Sequence, residues 1–259
     1  MKILTLNCFL VPLLSPSPKT RIKLIAKKIN EINPDLVFLQ EVPLKSHKEE
    51  LIKLLSKYNY NYITHGGLLK MGGGLCFFSK FPITEKKFYE FSKSGYWTDM
   101  SFLDKLAGKG FMKLKIQAGN QVYYCFHAHL TCNYKNDYSK NNKGLILIKQ
   151  QIKEIAKEIR KISLANPCFI IGDLNMHPGT KIYKDFMKKT KAEDISLFHD
   201  PSFIGKPSKI RKYFDKSCPG KLDYIFYRGQ AKINYMTNYV YNENEFLSDH
   251  KGILTEIKI

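Results

Sequence analysis

Acidic residues are scarce in this chain: 23 Asp and Glu stand against 42 Lys and Arg in 259 residues, a net charge of +19. That balance calls for an anionic partner (nucleic acid, an anionic membrane face or a phosphorylated substrate), or it reflects lysine used wherever a solvated residue serves. No apolar run is long enough to cross a bilayer, so no transmembrane anchor is expected. The six cysteines form no C-x-x-C pair and no close metal spacing, which argues against a zinc site of that type. Cys8, Cys76, Cys125 and Cys168 sit inside apolar runs, as buried free thiols of a reducing compartment do. There is no low-complexity tract, no internal repeat and no linker-like stretch. One domain over residues 1–259 is expected, with a core that hides roughly 70–75% of the unfolded chain's surface. The opening ILTLNCFLVPLL has the look of a short secretory core. Asn7 and Pro12 interrupt it, however, and no small-x-small site follows, so a strand is expected there and not a signal peptide.

What is present is a chain of mixed strands and amphipathic helices. Residues 2–8 read as a strand ending at Asn7-Cys8, and a loop rich in Pro and Ser follows. Ile22, Ile25, Ile29 and Ile32 then recur on one helical face until Asn33-Pro34 stops them. Asp35 to Gln40 is a buried strand that delivers Glu41. A second helix is expected at about 46–57, and glycines (Gly66-Gly67, Gly72 to Gly74) flank a turn before the apolar Leu75 to Phe78. Strands are expected at about 111–117 and 121–129, joined at Ala118-Gly119-Asn120. The clearest helix runs over about 143–163, with Leu145, Ile148, Ile152, Ile155, Ile159 and Ile162 on one face and lysines opposite. Cys168 to Ile171 is a buried strand ending in Gly172-Asp173. The last strands are expected at about 222–227 and 252–258, with Ser248-Asp249-His250 in the loop between them. The pattern predicts an α/β fold with helices packed outside a sheet core.

Polar residues recur at the ends of these apolar runs: Asn7, Glu41, His129, Asp173 with Asn175, Asp223, and Asp249-His250. A single Asp after a strand is usually a turn former or a helix cap. Six such sites, all carboxylate, amide or imidazole, suit a catalytic set held at the rim of a rigid sheet. Oxygen-rich ligands suit Mg²⁺, and imidazoles beside it can move protons in the hydrolysis of a phosphate ester. Scattered cysteines and histidines do not suit a soft metal.

The motifs Leu6-Asn7, Leu39-Gln40-Glu41-Val42, Ser79-Lys80-Phe81-Pro82-Ile83, His129-Leu130, Gly172-Asp173-Leu174-Asn175, Leu222-Asp223-Tyr224-Ile225 and Ser248-Asp249-His250 run in order nearly end to end. In this they resemble the endonuclease/exonuclease/phosphatase superfamily. The resemblance implies a four-layer α/β sandwich, two packed mixed β-sheets flanked by helices as in DNase I. It further implies that Glu41 binds Mg²⁺ (or Mn²⁺ as a substitute), with Asn7 and Asp249 supporting the metal side. His250 would be the general base, oriented by Asp223. Asp173 and Asn175 would orient the attacking water and a phosphoryl oxygen, and His129 would hydrogen-bond that oxygen or assist the leaving group.

Asp104, followed five residues later by Lys109-Gly110, resembles the neutral sphingomyelinase branch, where such a pair acts as a switch on the catalytic centre. Its plainer reading is a surface turn with a charge pair worth a few tenths of a kcal/mol. The aromatics from Phe88 to Phe102, among them Tyr96, Trp97 and Met100, accompany Lys86, Lys87 and Lys93. They read either as an interfacial segment or as a loop over a small satellite core. The expectation is a Mg²⁺-dependent phosphodiesterase, a monomer acting on sphingomyelin or a related choline phospholipid at a membrane surface. It would be cytoplasmic or exported without a cleavable signal. A DNase-like endonuclease of the same fold welcomes the same charge, and a non-catalytic basic binding module is the alternative of another class. An inositol 5-phosphatase is disfavoured because Pro219-Gly220-Lys221-Leu222 replaces that family's Trp-Cys-Asp-Arg run.

Overall fold

The computed structural model describes residues 1–12, 14–65, 72–99, 101–134, 139, 142–196, 200–205, 220–241 and 245–258. Leu13, Gly66-Gly67, Met100, Cys218 and Pro219 lie outside them. In chain order the elements are β1 (Lys2–Asn7), α1 (Pro18–Ile32), β2 (Leu36–Gln40), α2 (Lys45–Leu54), β3 (Tyr60–Ile63), β4 (Cys76–Ser79), β5 (Ile83–Glu90) and α3 (Phe102–Ala107). They continue with β6 (Gly110–Ala118), β7 (Gln121–His129), α4 (Lys143–Ile159), β8 (Cys168–Asp173), α5 (Lys181–Thr190), β9 (Glu193–Asp194), β10 (Asp223–Arg228), β11 (Asn234–Val240) and β12 (Gly252–Lys258).

Two six-stranded sheets result, ordered β11-β12-β1-β2-β4-β3 and β5-β6-β7-β8-β10-β9. Each is mixed, because β1 pairs parallel with β2, and β7 with β8, while the other neighbours are antiparallel. Strand alternation sends one set of side chains between the sheets: Phe38 and Phe77 from the first face Met112, Leu114, Phe169 and Ile225 from the second. The opposite faces carry the helices. Ile22, Ile25 and Ile29 of α1 pack on the first sheet, and Ile148, Ile152 and Ile155 of α4 with Phe186 of α5 pack on the second. The four-layer sandwich that the resemblance implied is the fold observed.

Local signals explain several boundaries. Pro18 opens α1, where its missing N–H costs nothing, and Asn33 in the left-handed region closes it. The side chain of Asn142 caps α4 by accepting from the amides of Gly144 and Leu145. The structure also departs from the expected order. It adds β11 before Ser248-Asp249-His250, so that motif lies between β11 and β12 and not directly after β10. It adds α3, α5 and the strands β3, β5 and β9. These elements are short, half-exposed or lysine-rich.

Register decides where the polar residues end up. Asn7 is level with Gln40 across the β1–β2 pair. His129, Asp173 and Asp223 form one row across β7, β8 and β10. Asp223 opens its strand instead of closing it, and the antiparallel direction of β10 brings it to the same rim. Gly172, just below that row, has φ of 132° and lies opposite Ala128, whose carbonyl oxygen would stand 2.1 Å from an added Cβ. Gly172→Ala is expected to lower the unfolding midpoint, at a cost of about 1–3 kcal/mol from backbone strain alone. Thermal and chemical denaturation check this, and an unchanged midpoint would show that the β7–β8 pair can move apart.

Candidate active site

The rims of the two sheets face each other, and every residue singled out at a strand end is found there. From the first sheet, the Asn7 side-chain nitrogen donates to Glu41 Oε1 at 3.2 Å and to Asp173 Oδ2 of the second sheet at 3.0 Å. Its own oxygen accepts from the amide of Phe9 at 3.1 Å, which fixes the amide's orientation. Glu41 turns off β2 with φ of 55°, a left-handed backbone that swings the carboxylate out of the strand line.

His250, from the loop that leads into β12 of the first sheet, reaches the second: its Nδ1 lies 2.7 Å from Asp223 Oδ2, and its Nε2 lies 3.9 Å from Asp173 Oδ2. Ser202 Oγ donates to the same Asp223 oxygen at 2.7 Å while accepting the amides of Leu222 and Asp223. His129 Nε2 lies 3.5 Å from Asp173 Oδ2 and 3.9 Å from Glu41 Oε1. Asn175, also left-handed at φ 47°, gives its backbone amide to Asp173 Oδ1 at 3.1 Å and its side-chain nitrogen to the Leu130 carbonyl at 2.9 Å.

Asp104 and Lys109 meet as well, and they meet inside the molecule. Their charged atoms are 2.8 Å apart with both side chains buried, so the surface-turn alternative does not hold. Lys109 Nζ also donates to His129 Nε2 at 3.0 Å and to the Leu130 carbonyl at 2.9 Å. The Cys132 amide donates to Asp104 at 3.3 Å.

Charge crowding follows from this packing. Burial and the neighbouring Asp249 raise the Glu41 carboxyl above its ordinary range. Burial and Asp223 push Asp173 up to about 7. Burial alone would strip His250 of its proton, but Asp223, Asp249 and Asp173 outweigh it and hold the ring's pKa at about 10. His129 goes the other way: burial, then Lys109, His250 and His127, drive it well below the usual imidazole value. It is therefore a neutral ring that accepts from the Lys109 ammonium. Burial pulls against Lys109 too, but Asp104 prevails and keeps the ammonium charged.

A model of the family described as Endonuclease/Exonuclease/phosphatase matches residues 4–250. The chain belongs to that family. Among curated relatives, a Drosophila melanogaster protein provisionally named a neutral sphingomyelinase is 27% identical over 274 residues, covering all of this chain and 61% of its own length. Human sphingomyelin phosphodiesterase 2 is 30% identical over 182 residues, which are 69% of this chain and 41% of that protein. The chain thus spans between two fifths and about three fifths of the length of these relatives. Among solved structures, a beta toxin variant from Staphylococcus aureus with bound magnesium ions superposes with a TM-score of 0.78 at 20% identity, covering 98% of each chain.

The residues of this family member suit a hard dication. Among the described residues, Asp173, Asp223 and His250 bring ligand atoms within 4.8 Å of one another. Asp223 Oδ2 and His250 Nδ1 are already committed to one another, which leaves only Asp223 Oδ1, buried and without a hydrogen-bond partner among the described residues, for an ion at that trio. Glu41 fits better. Its carboxylate is the most open at the rim, at 24% side-chain exposure, and it is held by Asn7 and repelled by Asp249. That excess of buried negative charge is what a divalent cation offsets.

Several positioning groups carry no motif. Arg21 of α1 is 3% exposed, and its guanidinium donates to the carbonyls of Cys8 and Leu247 at 2.8 Å each, to those of Phe9 and Pro16, and to Ser15. It ties the loop after Asn7 to the loop before Asp249 and His250. The one available signal was composition, since the chain has only four arginines and 38 lysines. Only a planar fork with five donors serves carbonyls in several directions at once. Ser202 and the buried contact of Gln40 with His127 gave no sequence signal.

Glu41→Ala and His250→Ala are each expected to lower kcat by about 10²-fold or more, the order found when one charge-stabilising group is removed. Both should leave the circular dichroism spectrum and unfolding midpoint near wild type. A variant with near-normal turnover would remove its residue from the catalytic set.

Proposed function

We propose that the chain is a Mg²⁺-dependent phosphodiesterase that cleaves sphingomyelin, or a closely related choline phospholipid, to a ceramide-type alcohol and phosphocholine. The observation that carries this reading is the meeting of Asn7, Glu41 and Asp173 across two sheets, beside two imidazoles of opposite protonation state. The names of the relatives and the magnesium of the beta toxin support it.

The chemistry follows from the groups at the rim. His250 is held by Asp223 through Nδ1, which leaves Nε2 facing Asp173 to take a proton from an attacking water once nearby negative charge is offset. The water oxygen forms a bond to phosphorus, the bond from phosphorus to the lipid alcohol breaks, the departing oxygen takes a proton from solvent, and His250 returns to solvent the one it accepted. The second side-chain N–H of Asn175 is placed to hold a phosphoryl or water oxygen, while Asn7, with both N–H groups given to Glu41 and Asp173, holds the two carboxylates in place. Mg²⁺ bound through Glu41 and supported by Asn7 and Asp249 supplies Lewis-acid polarisation of a phosphoryl oxygen. Mn²⁺ has the same preference for oxygen ligands and is expected to substitute.

Asp104 and Lys109 bear on the substrate branch. With Lys109 donating to His129 Nε2, that nitrogen is occupied and serves substrate only when Lys109 withdraws. Asp104 sets where Lys109 points, which is the behaviour of a switch. Asp104→Ala leaves a buried ammonium against His129 and is expected to reduce lipid hydrolysis by more than about tenfold, in line with the cost of breaking a buried pair. Initial rates on sphingomyelin vesicles measure it, and an unchanged rate would reduce the pair to a structural ion pair.

The deciding experiment offers purified protein sphingomyelin vesicles or plasmid DNA, each with Mg²⁺ and with EDTA. Phosphocholine release that requires Mg²⁺, with intact plasmid, is the expected result. Nicked plasmid and untouched lipid would make the protein a nuclease of this fold, for which the charge of +19 already provides non-specific affinity. Binding of either without turnover would favour a non-catalytic module.

A further inference from the structure

The chain's single tryptophan is also among its most exposed apolar side chains: Trp97 is 65% accessible. It does not hang from a slack loop. Between β5 and α3 the backbone closes on itself, with the Tyr96 amide donating to Ser101 Oγ at 2.9 Å and the Ser101 amide to Asp99 Oδ1 at 2.9 Å. Gly95 approaches so near that an added Cβ would stand 1.9 Å from the Ser101 carbonyl oxygen. The base of the loop is bolted to the protein: Thr131 donates to the Ser94 carbonyl at 2.8 Å, Gln151 donates to that of Lys93 at 3.1 Å, and Phe91 is buried in the core. Phe91 joins the core beneath α4, and Trp97 is left exposed.

The surroundings of Trp97 are cationic and aromatic together. Lys105 Nζ lies 4.7 Å from the Trp97 ring centre. Lys93 and Lys143 approach the Tyr96 ring from 4.5 and 5.4 Å. Leu106, next to Lys105 on α3, is 37% exposed. An exposed indole with one ammonium at its ring, next in sequence to a tyrosine with two more at its own, fits a boundary where an apolar phase meets a layer of negative charge. A protein partner would also accept the indole. The ammonium groups held at the ring faces fit anionic headgroups lying directly above an apolar layer, and no acidic side chain from this patch competes for Lys93, Lys105 or Lys143 among the ion pairs of the described residues.

We propose that Trp97 and Leu106, with Lys93, Lys105 and Lys143, form the surface by which the protein docks on an anionic phospholipid bilayer. This rests on the reading of the protein as a lipid phosphodiesterase and extends it to how the enzyme reaches its substrate. The placement suits that task. The exposed side of α3 carries Leu106, and its buried side carries Asp104, one ion pair away from His129. Docking therefore sets the rim beside the lipid headgroups and presses on the element that holds Lys109.

A lone tryptophan makes the test direct, because its emission reports only this site. Protein is mixed with phosphatidylcholine vesicles, with phosphatidylcholine–phosphatidylserine vesicles and with plasmid DNA, none containing sphingomyelin. Emission is expected to shift to the blue, and protein to co-sediment, with the mixed anionic vesicles, and both effects should fade as salt rises. Trp97→Ala, followed by sedimentation, and Lys105→Glu are each expected to weaken vesicle binding by about tenfold, a difference of 1.4 kcal/mol. Hydrolysis of a water-soluble monomeric phosphodiester such as bis(p-nitrophenyl) phosphate should stay at the wild-type rate in both.

An unshifted emission while sphingomyelin vesicles are being cleaved would overturn the proposal, as would full vesicle binding by Trp97→Ala. A shift with DNA alone would assign the patch to nucleic acid and overturn it too. If vesicles shift the emission but no phosphodiester is cleaved under any condition, the docking surface stands and the enzymatic reading falls.

Discussion

Asn7 gives one side-chain nitrogen to two carboxylates that belong to different sheets, Glu41 at 3.2 Å and Asp173 at 3.0 Å. Each of them is also repelled by a neighbour, Glu41 by Asp249 and Asp173 by Asp223. The amide between them, the Lys109 ammonium and the His250 imidazolium are what the chain supplies against that repulsion. The charges nonetheless remain unequal, with Asp223 and Asp249 added to the acidic side. An environment so arranged destabilises the protein by itself, and its excess negative charge is of the kind that a divalent cation would offset.

Holding two rims in such close register requires the sheets not to slide. The apolar layer between them is non-directional and does not prevent sliding. A polar contact buried within it does: Gln40, immediately before Glu41, reaches His127, two residues before His129, at 2.6 Å and also donates to Thr5 at 3.0 Å. The bond joins the first sheet to the second one residue below the site on one side and two on the other. Burial drives the His127 pKa down to about 3, so the ring stays neutral and the contact does not titrate at ordinary pH. Arg21 acts within the first sheet, where it binds carbonyls of the loop after β1 and of the loop before β12.

Histidine carries two protonation states within one site, and environment alone separates them. His250 faces three carboxylates that outweigh its burial and keeps its proton, whereas burial, reinforced by the Lys109 ammonium, leaves His129 without one. The Asp104–Lys109 pair is thereby part of the electrostatics of the rim even though Asp104 sits on α3, outside the strand-end set. A change that moves α3 moves Lys109, and with it the proton balance of His129.

Much was legible beforehand because it is local. The 3,4-spaced isoleucines of α1 and α4 and the apolar runs before Glu41 and Asp173 set the sandwich, and the motifs LQE, GDLN and SDH supplied the chemistry of the rim. The strands β5 and β11 were not legible, because ITEKKFYE and NYMTNYV lie half in solvent and lose the alternation that burial imposes. Arg21 and Ser202 were not legible either, since their partners lie in other segments, with Leu247 and Asp223 supplying the long-range contacts. The linear order of residues thus determined which elements form and which functional groups stand at their ends. Only the tertiary structure decided that Asn7 bridges two sheets, that Lys109 occupies His129 and that Trp97 is held out to solvent, because these depend on register and packing between segments far apart in the chain.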